Sequence, residues 1–247
     1  MQEAPTASPA FPVSARNRVK RLSERASYDR AAVYAVLDAG MLAHLAYAID
    51  GQPYCTPTLY WREGDRLYWH GSAASRMLSH LRDGVAVCLT VSHLDGLVLA
   101  RAAFHHSVNY RSAMCFGVAR LVDDAEEKAR ALVALVDRLY PGRSATLRPI
   151  REQEAKATAV AVMRIDVASA KARVGGVKDD EEDYAIPVWA GAIPIRAIVG
   201  AAAPCERLSA GVGASGDLVL YRDGRPLDEA LAEAQRRYEG RDRAGGG

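Results

Sequence analysis

The sequence has little that would staple it together or anchor it to anything larger. Its four cysteines, Cys55, Cys88, Cys115 and Cys205, stand far apart and form no CxxC pair. That excludes a disulfide framework as the organising device and fits small buried thiols in a reducing, cytoplasmic setting. No run of eighteen apolar residues occurs, so no segment reads as a membrane-spanning helix. The opening MQEAPTASPAFPV lacks the apolar stretch of a secretory signal. Charge of one sign is missing too: 32 Lys and Arg against 30 Asp and Glu leave a formal net charge of +2. A nucleic-acid binder working through a broad basic field is thereby disfavoured. There is no GxGxxG, no Walker loop and no internal repeat.

What is present suffices for a self-supporting core. A chain of 247 residues, 49% of them apolar, buries roughly 70–75% of its unfolded surface. Residues 1–28 show no periodicity and read as an extended, locally basic arm. Asp29 can cap a helix through AAVYAVLDA that stops at Gly40, with Val33, Val36 and Leu37 as its apolar stripe. MLAHLAYAI is apolar on both faces and reads as a buried strand. YCTPTLYW and RLYWH, joined by REGD, read as a hairpin. Pro57 inside it implies an edge, a bulge, or a neighbour other than a strand.

Further on, AASRMLSHLRD reads as a short helix opened by Ser72. VAVCLTV and GLVLARAAF read as two strands separated by HLDG. YRSAMCFGVARLV reads as a long strand bent or bulged at Gly117. Asp123 and Asp124 cap a helix through EEKARALVALVDRLY, and TAVAVMRIDVA is a last strong strand. The acidic run Asp179–Asp183 reads as a solvated loop. LDEALAEAQRRYEG reads as a peripheral helix before a frayed GGG end. Strands do not alternate regularly with helices, so the expected class is mainly β: an antiparallel barrel with peripheral helices. The expected divisions are an arm over 1–28, a barrel domain over 29–200, and an extension over 201–247.

Two segments carry the chemistry. In HGSAASR a strand ends at His70, Gly71 turns, and Ser72 caps a helix whose free N–H groups and positive end favour an anion. Ser75 adds a hydroxyl and Arg76 a planar charged fork, which together suit a phosphate. An ordinary capped helix with a solvated arginine fits equally well. In FHHSVNYRSAMCFG, polar residues crowd the start of an apolar strand. Alternation puts Tyr110 and Ser112 on one face and Arg111 and Ala113 on the other. This reads as a lined pocket, or as a surface loop entering an edge strand. Adjacent His105 and His106 point to opposite faces, and no Cys, Asp or Glu stands at metal spacing beside them. No metal site is expected.

Taken in order and spacing, YDRAAVYAVLDAG, GQPYCTPTLYW, LYWHGSAASRML, DGLVLARAAFHHSVNYRSAMCFGVARLV, KATAVAV and DDEEDYAIPVWAGAIP resemble the pyridoxamine-phosphate-oxidase-like FMN-binding split-barrel proteins. The nearest branch is that of the flavin-nucleotide-binding and nitroimidazole-resistance proteins. The resemblance runs from about Tyr28 to Pro194. It implies a split barrel and a homodimer with FMN at the subunit interface. Ser75-Arg76 matches the family's phosphate-binding Ser-Arg, and Arg111-Ser112 before Gly117 matches its later Arg-Gln pair. Val188-Trp189-Ala190-Gly191 matches its tryptophan segment, and Cys55-Thr56-Pro57 would pass along the flavin ring. The paired Arg and His that close the substrate site of vitamin B6 oxidases are missing, so vitamin B6 oxidation is not expected.

Flavin binding requires a phosphate anchor, polar partners for the ring edge and apolar contact with the ring face. Under the resemblance, Ser75, Arg76 and Arg111 supply the first, and Ser72 and Ser112 are also expected to contact the cofactor. Backbone of Cys55 to Thr58, with Ser107 or Tyr110, supplies the second. Trp189 supplies the third, while Trp61 and Trp69 are expected in the core. His70 is the candidate catalytic group, with a structural role as its alternative. The implied activity is electron transfer from a reduced nicotinamide nucleotide through FMN to a small nitro or quinone-like acceptor. A non-catalytic flavin carrier or sensor is one alternative. A haem-binding split barrel with His70, His105 or His106 as ligand is another.

Overall fold

A computed structural model describes residues 9–244 of the chain. Nine strands form one antiparallel sheet: β1 Ala26–Ser27, β2 Leu42–Ile49, β3 Gln52–Glu63, β4 Arg66–Ser72, β5 Val85–Leu99, β6 Ser107–Leu121, β7 Thr158–Arg164, β8 Val167–Arg173 and β9 Gly191–Pro194. The helices are α1 Arg30–Asp38, α2 Arg76–His80, α3 Ala125–Leu139, α4 Glu152–Ala157 and α5 Leu227–Ala244. The sheet order is β1-β8-β6-β7-β4-β3-β2-β5-β9, and β5 also pairs with β6. That extra pairing closes β6, β7, β4, β3, β2 and β5 into a ring, leaving β8 with β1, and β9, as flaps on its rim. The split barrel expected from the sequence is therefore the architecture observed, and closure shortens the free edges an open sheet would carry.

The ring is filled by one face of each strand. Ala43, Leu45 and Tyr47 of β2, Tyr60 of β3, Leu67 and Trp69 of β4, and Ala113 and Cys115 of β6 join one buried cluster. Val33, Val36 and Leu37 of α1 plug it, as their helical spacing requires. A second cluster lies between barrel and α3, where Trp61 stacks on Tyr68 at 5.5 Å and packs near Val160 and Val162. Trp61 and Trp69 are both core residues, as expected.

Several boundaries differ from the sequence reading. HLDG is not a turn between strands: β5 runs through it, and the ladder with β6 shifts register between Leu94 and Gly96. The Asp-Gly pair makes a β-bulge, which bends a strand without ending it. TAVAVMRIDVA is broken at Ile165–Asp166 into β7 and β8, which run in the same direction and both pair antiparallel with β6. Gly117 lies in regular register opposite Val87. It is needed where β6 changes partner, from β8 up to Phe116 to β7 from Ala119. A Cβ there would run into the Arg164 carbonyl and the Met163 side chain. The helix expected from Ala73 to Asp83 shrinks to the five residues of α2, with Ser75 as its N-cap. Ser72 instead accepts a hydrogen bond from Ala74 N–H at 3.2 Å.

The termini are less peripheral than their composition suggests. Residues 1–8 of the arm and the GGG end lie outside the described residues. Further along the arm Phe11 is buried, and Asn17 donates to the Ala168 carbonyl at 2.8 Å. The helix α5 packs against α1 and α3 with Ala230, Leu231, Ala234 and Gln235 buried. It brings Glu239 to Arg62 at 2.7 Å, where Asp38 also binds the guanidinium at 2.6 Å. Burial works against the Arg62 charge, and these two carboxylates more than offset it. The acidic run is not simply solvated either: the Asp179 side chain is shielded from solvent against Arg101.

Strand β2 is buried on one face only. Leu42 is 57% exposed, and across the same outer face Met114 and Val118 of β6 are 43% and 56% exposed. No charged side chain interrupts this face among His44, Ala46, Cys55, Pro57 and Cys88. Among the described residues, no helix is long and apolar enough to cross a membrane.

Candidate functional site

The barrel opens where β3 parts from β4. The two strands pair only from Tyr60 to Glu63, whereas His70, Gly71 and Ser72 pair with Val160, Ala159 and Thr158 of β7. The stretch Gln52–Leu59 of β3 therefore has β2 on one side and no strand on the other. Pro57 sits in this stretch, where a missing N–H costs least. Cys55 and Pro57 project outward and are exposed, while Thr56 turns inward to share a 3.1 Å hydrogen bond with the Tyr47 hydroxyl. Thr58 is buried.

Helix α2 covers the gap. Met77 and Leu78 enter the core, and Arg76 projects from the opposite side of that turn. Its guanidinium lies 4.6 Å from the Tyr54 ring centroid, and Tyr54 in turn stacks on Tyr47 at 5.5 Å. Arg76 has no carboxylate partner among the described residues. A cation resting on an aromatic face, without an anion, remains available to a phosphate. Because α2 is so short, its dipole adds little and the arginine carries the charge.

His70 lies at the end of β4, on its outer side with Tyr68, its ring centroid 6.2 Å from that of Trp61. Burial lowers its pKa, so the imidazole is held neutral. Its Nδ1 is buried with no hydrogen-bond partner among the described residues. Such an orphan is costly unless a bound group satisfies it. His105 and His106 are differently engaged: His105 Nε2 meets Asp180 at 3.2 Å, and His106 Nδ1 meets the Ala102 carbonyl at 3.0 Å.

The second predicted cluster lies elsewhere in the same chain. Arg111 donates to both oxygens of Asp95, at 2.9 and 2.7 Å, and to Asp228 of α5 at 2.9 Å. The Asp95 hydrogen bond leads the effects that raise the Arg111 pKa. These groups line a cleft of about 500 Å³ with His93 and Pro194. Ser112 faces the other way and donates to the Lys171 carbonyl at 3.2 Å. Ser107 and Tyr110 are half-buried opposite Val98 and Leu94. Arg111 pairs with His93, five residues along β5 from Cys88, which is level with Ala46 beside Tyr47. That separates Arg111 from the Arg76–Tyr54 contact by roughly 17 Å along the strand direction. One chain therefore does not bring Arg76 and Arg111 to one point.

Trp189 is 64% exposed, and its ring lies where a Cβ on Gly191 would sit, 2.9 Å away. The sequence reading missed Tyr54, although alternation from the buried Tyr60 could have placed it on the inner face beside Thr56. Asp95 and Asp228 had no such signal: one is hidden in an apparent turn, the other more than a hundred residues from its partner.

The chain as a whole is similar to known proteins. Residues 29–174 match the family model described as pyridoxamine 5'-phosphate oxidase. The flavocytochrome Anf3 from Azotobacter vinelandii is 48% identical, over 87% of this chain and 100% of its own, with a TM-score of 0.80. The FAD and haem binding protein from Mycobacterium smegmatis is 35% identical, over 82% of this chain and 98% of its own, with a TM-score of 0.77. No curated protein sequence matches. The barrel, its split beside Arg76 and the length of these matches lead to one assignment: this chain belongs to the pyridoxamine 5'-phosphate oxidase family.

Proposed function

We propose that this protein binds a flavin and a haem and relays electrons from a reduced nicotinamide nucleotide to a small acceptor. The observation that carries the reading is the 48% identity to a flavocytochrome over 87% of this chain and 100% of the relative's own. When bound, a flavin accepts a hydride from a nicotinamide and releases electrons singly, as a haem iron requires.

The residues fit both groups. Arg76, with Ser75 beside it, anchors a flavin phosphate. The open stretch Cys55–Thr58 offers backbone groups to the ring edge, and exposed Trp189 an apolar face. His70 is the candidate haem ligand among the three histidines considered, because burial favours its neutral form and neither ring nitrogen has a hydrogen-bond partner among the described residues, whereas His105 and His106 are engaged. The flavin expected from sequence resemblance is FMN, whereas the M. smegmatis relative is described as binding FAD. The two share the phosphate next to the ring, so Arg76 serves either.

The protein acts as a homodimer. The outer face around Leu42, Met114 and Val118 is largely apolar, with Arg16 over the Phe116 ring and Arg82, Asp83 and Arg120 at its Val118 end, and such apolar surface is stable in water when covered. Arg76 and Arg111, which one chain holds apart, can serve one cofactor when two chains contribute to it.

An absorption spectrum of the purified protein, with mass identification of what denaturation releases, tests the reading. Flavin and haem bands with a released flavin nucleotide support it, and the mass distinguishes FMN from FAD. Colourless protein that takes up neither added flavin nor added haem overturns it.

A further inference from the structure

The segment after β8 returns to the end of β5 and is fastened there. Leu99 pairs with Gly191, and Asp179 takes the Arg101 backbone N–H and guanidinium, each at 3.0 Å. Arg101 also lies 5.1 Å from the Tyr184 ring centroid. These contacts hold the acidic turn against the 3-10 turn Ala103–His105. One ligand atom each from His105, Asp180 and Asp183 then falls within 4.8 Å of the others.

The three groups are not committed elsewhere. Asp180 is the N-cap residue of the 3-10 turn Glu181–Ala185, yet its side chain makes no capping bond. Neither Asp180 nor Asp183 has a Lys or Arg partner among the described residues. Arg101, the cation on the adjoining turn, is occupied by Asp179. Burial opposes the Asp179 charge, and Arg101 more than offsets it, leaving that carboxyl below its ordinary range.

We propose that His105, Asp180 and Asp183 form a binding site for a divalent transition-metal cation of the zinc class. One imidazole nitrogen and two carboxylate oxygens, with water in the open position, are a donor set such an ion takes. Tetrahedral ligand atoms about 2.1 Å from a metal lie about 3.4 Å apart, so the side chains close by roughly 1 Å on binding. Asp180 is exposed and Asp183 half-buried, and rotation of the exposed Asp180 side chain can accommodate that. A bound cation offsets the repulsion between them and locks the segment that leads to Trp189 onto the barrel rim. This site is separate from the flavin and haem reading and does not depend on it.

The test is calorimetric titration of Zn²⁺ into the full-length protein, with its bound cofactors, after chelator treatment and dialysis. One Zn²⁺ should bind per chain. His105→Ala and Asp183→Asn should each weaken binding beyond the roughly 10–100-fold that losing an outer-shell partner costs. Asp180→Asn, at an exposed carboxylate where folding is not at stake, should do the same. His106→Ala and Cys205→Ser should bind as the parent does. Absent binding in the parent, unchanged binding in the three ligand variants, or loss in Cys205→Ser overturns the site.

Discussion

Arg111 grips Asp95 with two nitrogens across the β5–β6 ladder, at the position where the β5 bulge interrupts regular pairing. The ion pair fixes the bulge, and its third contact, Asp228, ties α5 to the same arginine. Both ends of the pair keep about a quarter to a third of their side-chain surface in solvent, so water screens the attraction. Arg111→Ala should therefore cost about 1 kcal/mol of stability, read by urea denaturation. A loss several times larger would mean that α5 docking depends on this arginine alone.

Arg76 has no carboxylate partner among the described residues and rests on the Tyr54 ring. Arg76→Ala should weaken flavin binding by about 1.5–3 kcal/mol, the range for a charge-assisted hydrogen bond. Fluorescence titration of flavin into cofactor-free protein measures it. Unchanged affinity would show that the phosphate is held elsewhere, and the Arg111 cleft would then be next to test.

His70→Ala should abolish the haem absorption band and leave flavin content unchanged. The pH dependence has a definite sign. Burial depresses the His70 pKa, so the folded protein holds the imidazole neutral at a pH where the unfolded chain is protonated. Stability from this group is complete above the ordinary value of about 6.5. It declines as pH falls through the interval down to the depressed folded pKa. In the parent, haem should remain bound somewhat below pH ~6.5, followed by absorption across a pH series. Retention of the band in His70→Ala would exclude this ligand.

Met114→Asp or Val118→Asp places a charge on the apolar outer face. Each should convert the homodimer to a monomer in light scattering while preserving the β-rich circular dichroism spectrum. A monomeric parent, or variants that stay dimeric, would remove this face as the interface.

Much of the barrel was legible because local rules suffice for it. The 3.6-residue stripe of Val33, Val36 and Leu37 announces α1, and Asp124 announces the start of α3, where it accepts from Glu127 N–H at 2.7 Å. The β3–β4 hairpin follows from two alternating runs around a turn. Local rules failed where the deciding partner is distant. Asp95-Gly96 has the chemistry of a turn, but Arg111 and the β6 ladder hold it as a bulge. MLAHLAYAI looked buried on both faces because its outer face is apolar, and in one chain that face is exposed.

By itself, then, the sequence determined the strand and helix periods, the barrel class and the arginine at the start of α2, because each depends on residues a few positions apart. Only tertiary structure decided how the charges were spent. It set Arg76 on Tyr54 and neutralised Arg111 with Asp95 and Asp228. It also brought Asp180 and Asp183, some 75 residues on, to His105. Charge pairing depends on distance in space, and sequence spacing reports that only within one element.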